Sequence, residues 1–196
     1  MKKLLISTMI AMLAFTFVGC GSKNSASSTL INWMKSGTYY MKYTTEMEYQ
    51  GQKTKMKGSM AVQGDNMAMN AETTSGGYAV KSRVISLGDA TYVIDDNSKT
   101  MMKTAKNKSV ASKGTADFSK IEKIGSGKGT INGRTLPYEE YKSGNYTIKY
   151  YMDGKNVYAI ESKGEGTRSV MIIEEASKTV PSGSFDLPKG YKSFSF

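Results

Sequence analysis

The sequence contains no histidine, one cysteine (Cys20) and one tryptophan (Trp33) in 196 residues. Without imidazole there is no Ser-His-Asp triad, no Cys-His nucleophile pair and no histidine-ligated metal. With one thiol there is no internal disulfide, so the fold rests on packing alone. The acidic doublets Asp95-Asp96, Glu139-Glu140 and Glu174-Glu175 are neighbours in sequence. On a strand, neighbours point to opposite faces, so these doublets cannot flank one bond as paired carboxylates. Nor does their spacing match a calcium loop. The expectation is a protein that is not an enzyme and needs no metal or cofactor.

What is present begins with an export signal. Lys2 and Lys3 precede the apolar stretch Leu4 to Val18, which is too short to span a membrane, where about 20 apolar residues are needed. It ends in Phe17-Val18-Gly19-Cys20, which resembles a bacterial lipobox with Phe in place of the usual Leu. That resemblance implies cleavage before Cys20 and lipidation of its thiol and new amino group. An ordinary secretory signal with an incidental cysteine is the plainer alternative. The expected organisation is a signal peptide over 1–19, a lipidated Cys20 with a flexible tether over 20–27, and one domain over 28–196. Several acyl chains, at about 0.8 kcal/mol per buried CH₂, would hold the protein durably on the extracytoplasmic face of the cell membrane.

The net charge of +10 makes anionic lipid headgroups or an anionic envelope polymer candidate partners. Nucleic acid is not expected outside the cell. Because the basic residues are dispersed along the chain, a merely solvated surface is the competing reading.

The pattern that organises the rest runs from Tyr39 to Met69. Tyr39, Met41, Tyr43, Met47 and Tyr49 alternate with Lys42, Thr44, Glu46 and Glu48, which is the period of a half-buried strand. Met56, Met60 and Val62 then alternate against Lys53, Lys55 and Lys57, and Met67, Met69 and Ala71 follow. Gln50-Gly51-Gln52 and Gln63-Gly64-Asp65 supply the turns of a three-strand meander. Further strands are expected at 78–87, 91–95, 100–104, 128–131, 136–142, 146–152, 157–162 and 167–175. Asn132-Gly133 and Asp153-Gly154 are strong hairpin signals among their turns. A short helix is expected from Ser28 or Thr29 to Gly37, with Trp33 either bolting it to the sheet or touching a ligand. A second is expected over Thr115–Ile124, after a loop at 105–116. Some ten or eleven antiparallel strands in one sheet must curl or close. The predicted fold is therefore mainly β: a single curved antiparallel sheet forming an unclosed barrel, with two short helices on or in its concave face.

Methionine and tyrosine stand where valine, isoleucine and leucine would be ordinary. Methionine is unbranched and polarizable and adapts to different guests, while tyrosine adds an apolar body with a polar tip. The candidate ligand-binding residues are Trp33, Tyr39, Met41, Tyr43, Met47, Met56, Met60, Met67 and Met69, suited to acyl chains or another apolar ligand. A closed core, in which the same residues simply pack, is the competing reading. Gly125-Ser126-Gly127-Lys128-Gly129-Thr130 resembles the phosphate loop of adenylate kinases. Glu122 stands where the earlier glycine belongs, and a hairpin follows where a helix is required. It is expected to be a flexible turn.

The lipobox, the tether, one helix, the long meander, a mid-chain loop and helix, and the terminal Phe185-Asp186-Leu187-Pro188-Lys189-Gly190-Tyr191 together resemble the LolA/LolB-like lipoprotein-carrier superfamily. That resemblance implies an unclosed barrel of about eleven strands with helices lidding a lipid-holding cavity. Such carriers use a buried arginine to control the lid; neither Arg83, Arg134 nor Arg168 can be given that role from sequence. The expected function is a membrane-anchored lipoprotein binding an apolar ligand. The alternative is an anchored protein- or cell-wall-interaction module with a solid core.

Overall fold

The computed structural model describes residues 28–75, 78–105 and 122–195. One helix, α1 (Ser28–Lys35), precedes twelve strands: β1 (Thr38–Tyr49), β2 (Gln52–Gln63), β3 (Asn66–Ser75), β4 (Tyr78–Leu87), β5 (Ala90–Asp95), β6 (Thr100–Ala105), β7 (Glu122–Ile131), β8 (Arg134–Ser143), β9 (Tyr146–Asp153), β10 (Asn156–Gly164), β11 (Thr167–Ser177) and β12 (Lys192–Ser195). They form one sheet in the order β12-β6-β5-β4-β3-β2-β1-β11-β10-β9-β8-β7. The sheet is unclosed, with β12 and β7 as its ends; β1 to β6 and β7 to β10 pair antiparallel with their sequence neighbours, and β12 pairs parallel with β6.

Among the described residues, seven connections are two-residue turns. Three of them, Gln50-Gly51, Asn132-Gly133 and Glu165-Gly166, hold both residues at positive φ. This is the geometry that matches strand twist in a tight hairpin, and glycine at the second position adopts it without steric cost.

The chain divides into two compact units, one holding residues 32–105 and 171–195, the other 28–31 and 122–170. In the first, β1 to β6 form a meander in which β1 and β2 pair over twelve rungs, from Thr38↔Gln63 to Tyr49↔Gln52, without a bulge. One face of this meander carries a buried cluster of Ala61, Ala68, Ile85 and Ile94. Against it pack Val180, Phe185, Leu187 and Tyr191 from the segment between β11 and β12. The small alanines leave room for these large side chains, so the chain's own C-terminal segment covers this part of the face. Asp96 clips it in place. Arg83 on β4 donates to both Asp96 oxygens, at 2.9 Å from Nε to Oδ2 and 2.6 Å from Nη2 to Oδ1, and Tyr191 Oη donates to Oδ1 at 2.9 Å.

In the second unit, β7 to β10 place Ile131, Leu136, Tyr141, Ile148, Tyr150, Val157, Ala159 and Ile160 in buried positions. Glu161 is buried among them and ionised. Tyr151 Oη donates to its Oε2 at 3.1 Å, Arg168 Nε to its Oε1 at 2.8 Å, and Lys163 lies 3.2 Å away. Burial pushes this carboxyl up, but the hydrogen bonds from Arg168 and Lys163 outweigh it and hold it below the usual carboxylate range.

Two expectations are corrected here. In place of the end of a second helix over Thr115–Ile124, Glu122, Lys123 and Ile124 open strand β7; residues 115–121 lie outside the described residues. The expected flexible turn at Gly125–Thr130 is also part of β7. Its glycines recur at the strand period of two, and tyrosine rings of neighbouring strands occupy the space they leave. A Cβ on Gly129 would stand 3.3 Å from both the Tyr138 and the Tyr151 ring, and one on Gly127 3.1 Å from Tyr138 Oη. This is a sheet edge packed by aromatics, without the helix N-terminus that a phosphate cradle needs. The strand β12, beyond the expected series, completes the sheet.

The clip at Asp96 has a pH signature. Burial raises this carboxyl, but Arg83 and Tyr191 more than compensate, and it titrates below its ordinary value. A depressed carboxylate contributes stability that is present above its unfolded pKa of about 3.9 and is lost as pH falls through the lower folded value. Asp96→Asn is expected to cost about 1.5–3 kcal/mol at pH 7, and the difference from the unsubstituted protein should shrink as the pH falls below the unfolded carboxylate value. Urea denaturation across that pH range measures it.

Candidate functional site

Because β1 to β6 pair in continuous register, the side chains of one face line up in rows that cross the strands. The most apolar row reads Met41, Met60, Met69, Val84, Val93, Met102 and, through the parallel edge pair, Phe194. Exposure rises along it, from 0 % at Met41 and 4 % at Met60 to 38 % at Met102 and 50 % at Phe194. The flanking row holds Tyr39, Val62 and Met67, and on the other side stand Tyr43, Gly58, Ala71 and Ser82. A further row holds Thr45, Met56, Thr73 and Val80. Over β1 to β4 none of these inward positions is charged.

The candidate residues taken from sequence fall on this face with one exception. Tyr39, Met41, Tyr43, Met56 and Met60 are buried, while Met47, Met67 and Met69 are half-buried. Met41, Met60 and Met69 are brought together as cross-strand partners. Met47 lies opposite Thr54, nearer the turn, away from that group. The exception is Trp33, which sits on α1 and is half-buried. Its helix ends at Lys35, and two residues further on the Gly37 carbonyl accepts the Gly64 N–H of the β2–β3 turn at 2.8 Å, so the end of α1 is held near that turn. Cys20 lies outside the described residues. Sequence reasoning missed Val84, Val93, Met102 and Phe194. Counting register across the Gly88-Asp89 turn would have set Val93 opposite Val84, since a two-residue turn fixes which residues face each other.

The tyrosines differ in how their hydroxyls are satisfied. Tyr39 Oη donates to Met60 Sδ at 3.2 Å. Tyr43 Oη and Thr45 Oγ1 are buried with no hydrogen-bond partner. Burial pushes the Tyr39 and Tyr43 phenols above the ordinary tyrosine range, with the neighbouring Tyr39 adding to the shift at Tyr43. Both rings therefore stay neutral at physiological pH. Tyr43 reaches across to β2, where Gly58 leaves room for its ring; a Cβ there would lie 2.8 Å from Tyr43 Cζ and from the Asn70 carbonyl oxygen.

The opposite face carries the alanine cluster under the C-terminal segment and, beside it, rows of charged residues. Lys53 and Lys55 approach Glu46, Lys81 approaches Glu72, and Lys42 pairs with Glu175 at 2.7 Å. A groove of about 360 Å³ there is lined by Lys42, Lys57, Asn70, Lys81, Arg83 and Glu174, among others. Its cations face carboxylates of the same groove, so it presents no surface of single sign. Among the described residues no group of His, Cys, Asp or Glu is arranged to hold a metal ion, and no helix is long and apolar enough to cross a membrane.

Solved structures with a similar fold are known. A conserved protein of Thermus thermophilus described as uncharacterized matches with a TM-score of 0.51 at 8 % identity, over 88 % of this chain and 100 % of that one. The Mycobacterium tuberculosis lipoprotein LppX matches with a TM-score of 0.50 at 10 % identity, over 78 % of this chain and 93 % of that one. A LolA superfamily protein from Nitrosomonas europaea is also similar, with a TM-score of 0.43 at 7 % identity over 84 % and 99 % of the two chains. At these identities the similarity is a likeness of fold. No protein-family model matches the chain, and no curated sequence is similar to it.

Gly58 is the position where this face tolerates least change. Gly58→Ala sets a Cβ against backbone and ring atoms at 2.8 Å, and is expected to destabilise by about 1–3 kcal/mol through strand displacement. Tyr43→Ala with Gly58→Ala should recover part of the loss by removing the ring, which thermal denaturation of the two variants would read.

Proposed function

We propose that this chain is an exported lipoprotein, anchored through lipidated Cys20 to the extracytoplasmic face of the bacterial cell membrane, that binds an apolar ligand of the acyl-lipid class. The observation that carries this reading is the row from Met41 to Phe194. It is a strip of thioethers, valines and an aromatic ring, enclosed at one end and exposed at the other. Exposure rises towards the edge strands of any sheet, but here the exposed end stays apolar at Met102 and Phe194, as the accessible end of a surface that receives a long apolar molecule would. Trp33, Tyr39, Met41, Tyr43, Met47, Met56, Met60, Met67 and Met69 are the residues proposed to line it. Binding rather than catalysis is proposed, since the face presents no paired acids and no nucleophile with its base. The basic charge would suit anionic headgroups at the membrane surface.

Two experiments test this. The full chain carrying Cys20→Ser is expected to leave the membrane fraction, and continued retention would contradict the anchor. Organic extraction of that purified variant followed by mass spectrometry should recover an acyl lipid at near one equivalent. Met69→Glu should reduce the recovery severalfold with the circular dichroism unchanged. Protein that is empty from every preparation would instead fit an anchored interaction module with a solid core.

A further inference from the structure

Two side chains on the methionine face are out of keeping with it. Tyr43 and Thr45, 1 % and 8 % exposed, stand two residues apart on β1 and so point the same way. Neither hydroxyl has a hydrogen-bond partner. Buried polar groups are nearly always paired, and one left unpaired bears its full desolvation cost. Two such groups side by side on one strand call for a shared explanation. Tyr39, four residues before Tyr43, has taken the Met60 sulfur as its acceptor, so that sulfur is already engaged. The Tyr43 oxygen stands over Gly58, the one position of β2 with no side chain, and along β2 Met56 and Met60 flank it on the same face.

We infer that Tyr43 and Thr45 form a polar subsite for the carbonyl oxygen of a neutral acyl ester, whose hydrocarbon chain lies along the row from Met41 to Phe194. This rests on the reading of that face as an acyl-binding surface. Two hydroxyl donors match one carbonyl oxygen, which has two lone pairs to offer. The charge pattern selects among acyl compounds. Lys42, Lys53, Lys55, Lys57, Lys81 and Arg83 all alternate to the opposite face of the meander, and β1 to β4 bring no cation to this one. An ionised carboxylate or phosphate at Tyr43 would be desolvated without a counter-charge, which is strongly unfavourable; an ester carbonyl needs none. Both hydroxyls are enclosed, so the ligand reaches them by displacing side chains, and unbranched methionines yield more readily than β-branched residues would.

The test uses the full chain carrying Cys20→Ser, which has no attached acyl group, titrated with methyl oleate, the methyl ether of oleyl alcohol, and oleate at pH 8. Displacement of a fluorescent acyl probe reports affinity. The ester is expected to bind about tenfold more tightly than the ether, the worth of one to two net hydrogen bonds, and oleate more weakly than the ester. Tyr43→Phe combined with Thr45→Val should bring ester and ether to within about twofold, chiefly by weakening the ester, whose carbonyl oxygen the ether lacks. Without ligand, Tyr43→Phe should raise the thermal midpoint, because it deletes an unpaired hydroxyl and keeps the ring over Gly58. Should the double variant fail to fold, Thr45→Val alone is expected to narrow the ester preference about threefold. Equal binding of ester and ether by the parent, or a preference that survives these substitutions, overturns the subsite and leaves acyl binding standing. Failure of all three probes to bind overturns the acyl reading itself.

Discussion

The fold of the meander unit depends on one constraint: strand register held by two-residue turns. In β1 and β2 the pairing runs from Thr38↔Gln63 to Tyr49↔Gln52 without interruption. A slip of one residue would carry every methionine of β2 to the lysine face and every lysine to the methionine face. Hydrophobic burial therefore opposes slippage at each rung, and the turn chemistry needs only to choose the starting rung. Where the chain relaxes this rule, in the bulges at Tyr158 and Ile124, it does so in the β7–β10 region, away from the methionine rows.

Consistent register sorts chemistry by face. The exposed lysine–glutamate pairs on the polar face, such as Lys55 with Glu46, are worth little in stability because water screens them. Their effect is on the sorting of charge: they keep the part of that face beside the alanine cluster wet and leave β1 to β4 without cations on the other. Over β1 to β4 the methionine face is left with uncharged polar groups, chiefly tyrosine, threonine and serine hydroxyls, beside its apolar rows.

The two faces of the meander are also covered differently. On the alanine side, Ala61 and Ala68 make space that Phe185, Leu187 and Tyr191 fill, and Arg83 with Asp96 holds the segment down. The Phe-Asp-Leu-Pro stretch is thus a seal. It explains why a chain of layered β-strands keeps its last residues ordered against the sheet, ending in a parallel edge strand. Arg83, one of three arginines of undecided role, has a structural task in that seal.

Much of this was legible in the residues. Period-two alternation over Tyr39–Met69 and the Asn132-Gly133 hairpin signal follow from local sterics and polarity, and they located strands, turns and faces. The expected export signal and lipidation at Cys20 come from the same local chemistry. What local chemistry cannot express is which distant side chain fills a gap. The glycines of β7 look like a flexible loop until the rings of Tyr138 and Tyr151, from two other strands, are set over them. Likewise Val84, Val93, Met102 and Phe194 are unremarkable alone and become one apolar row only when pairing lines them up behind Met41. Tyr43 and Thr45 read as ordinary strand residues. Only the folded surroundings, which exclude water and offer no acceptor, turn their hydroxyls into unmet demands.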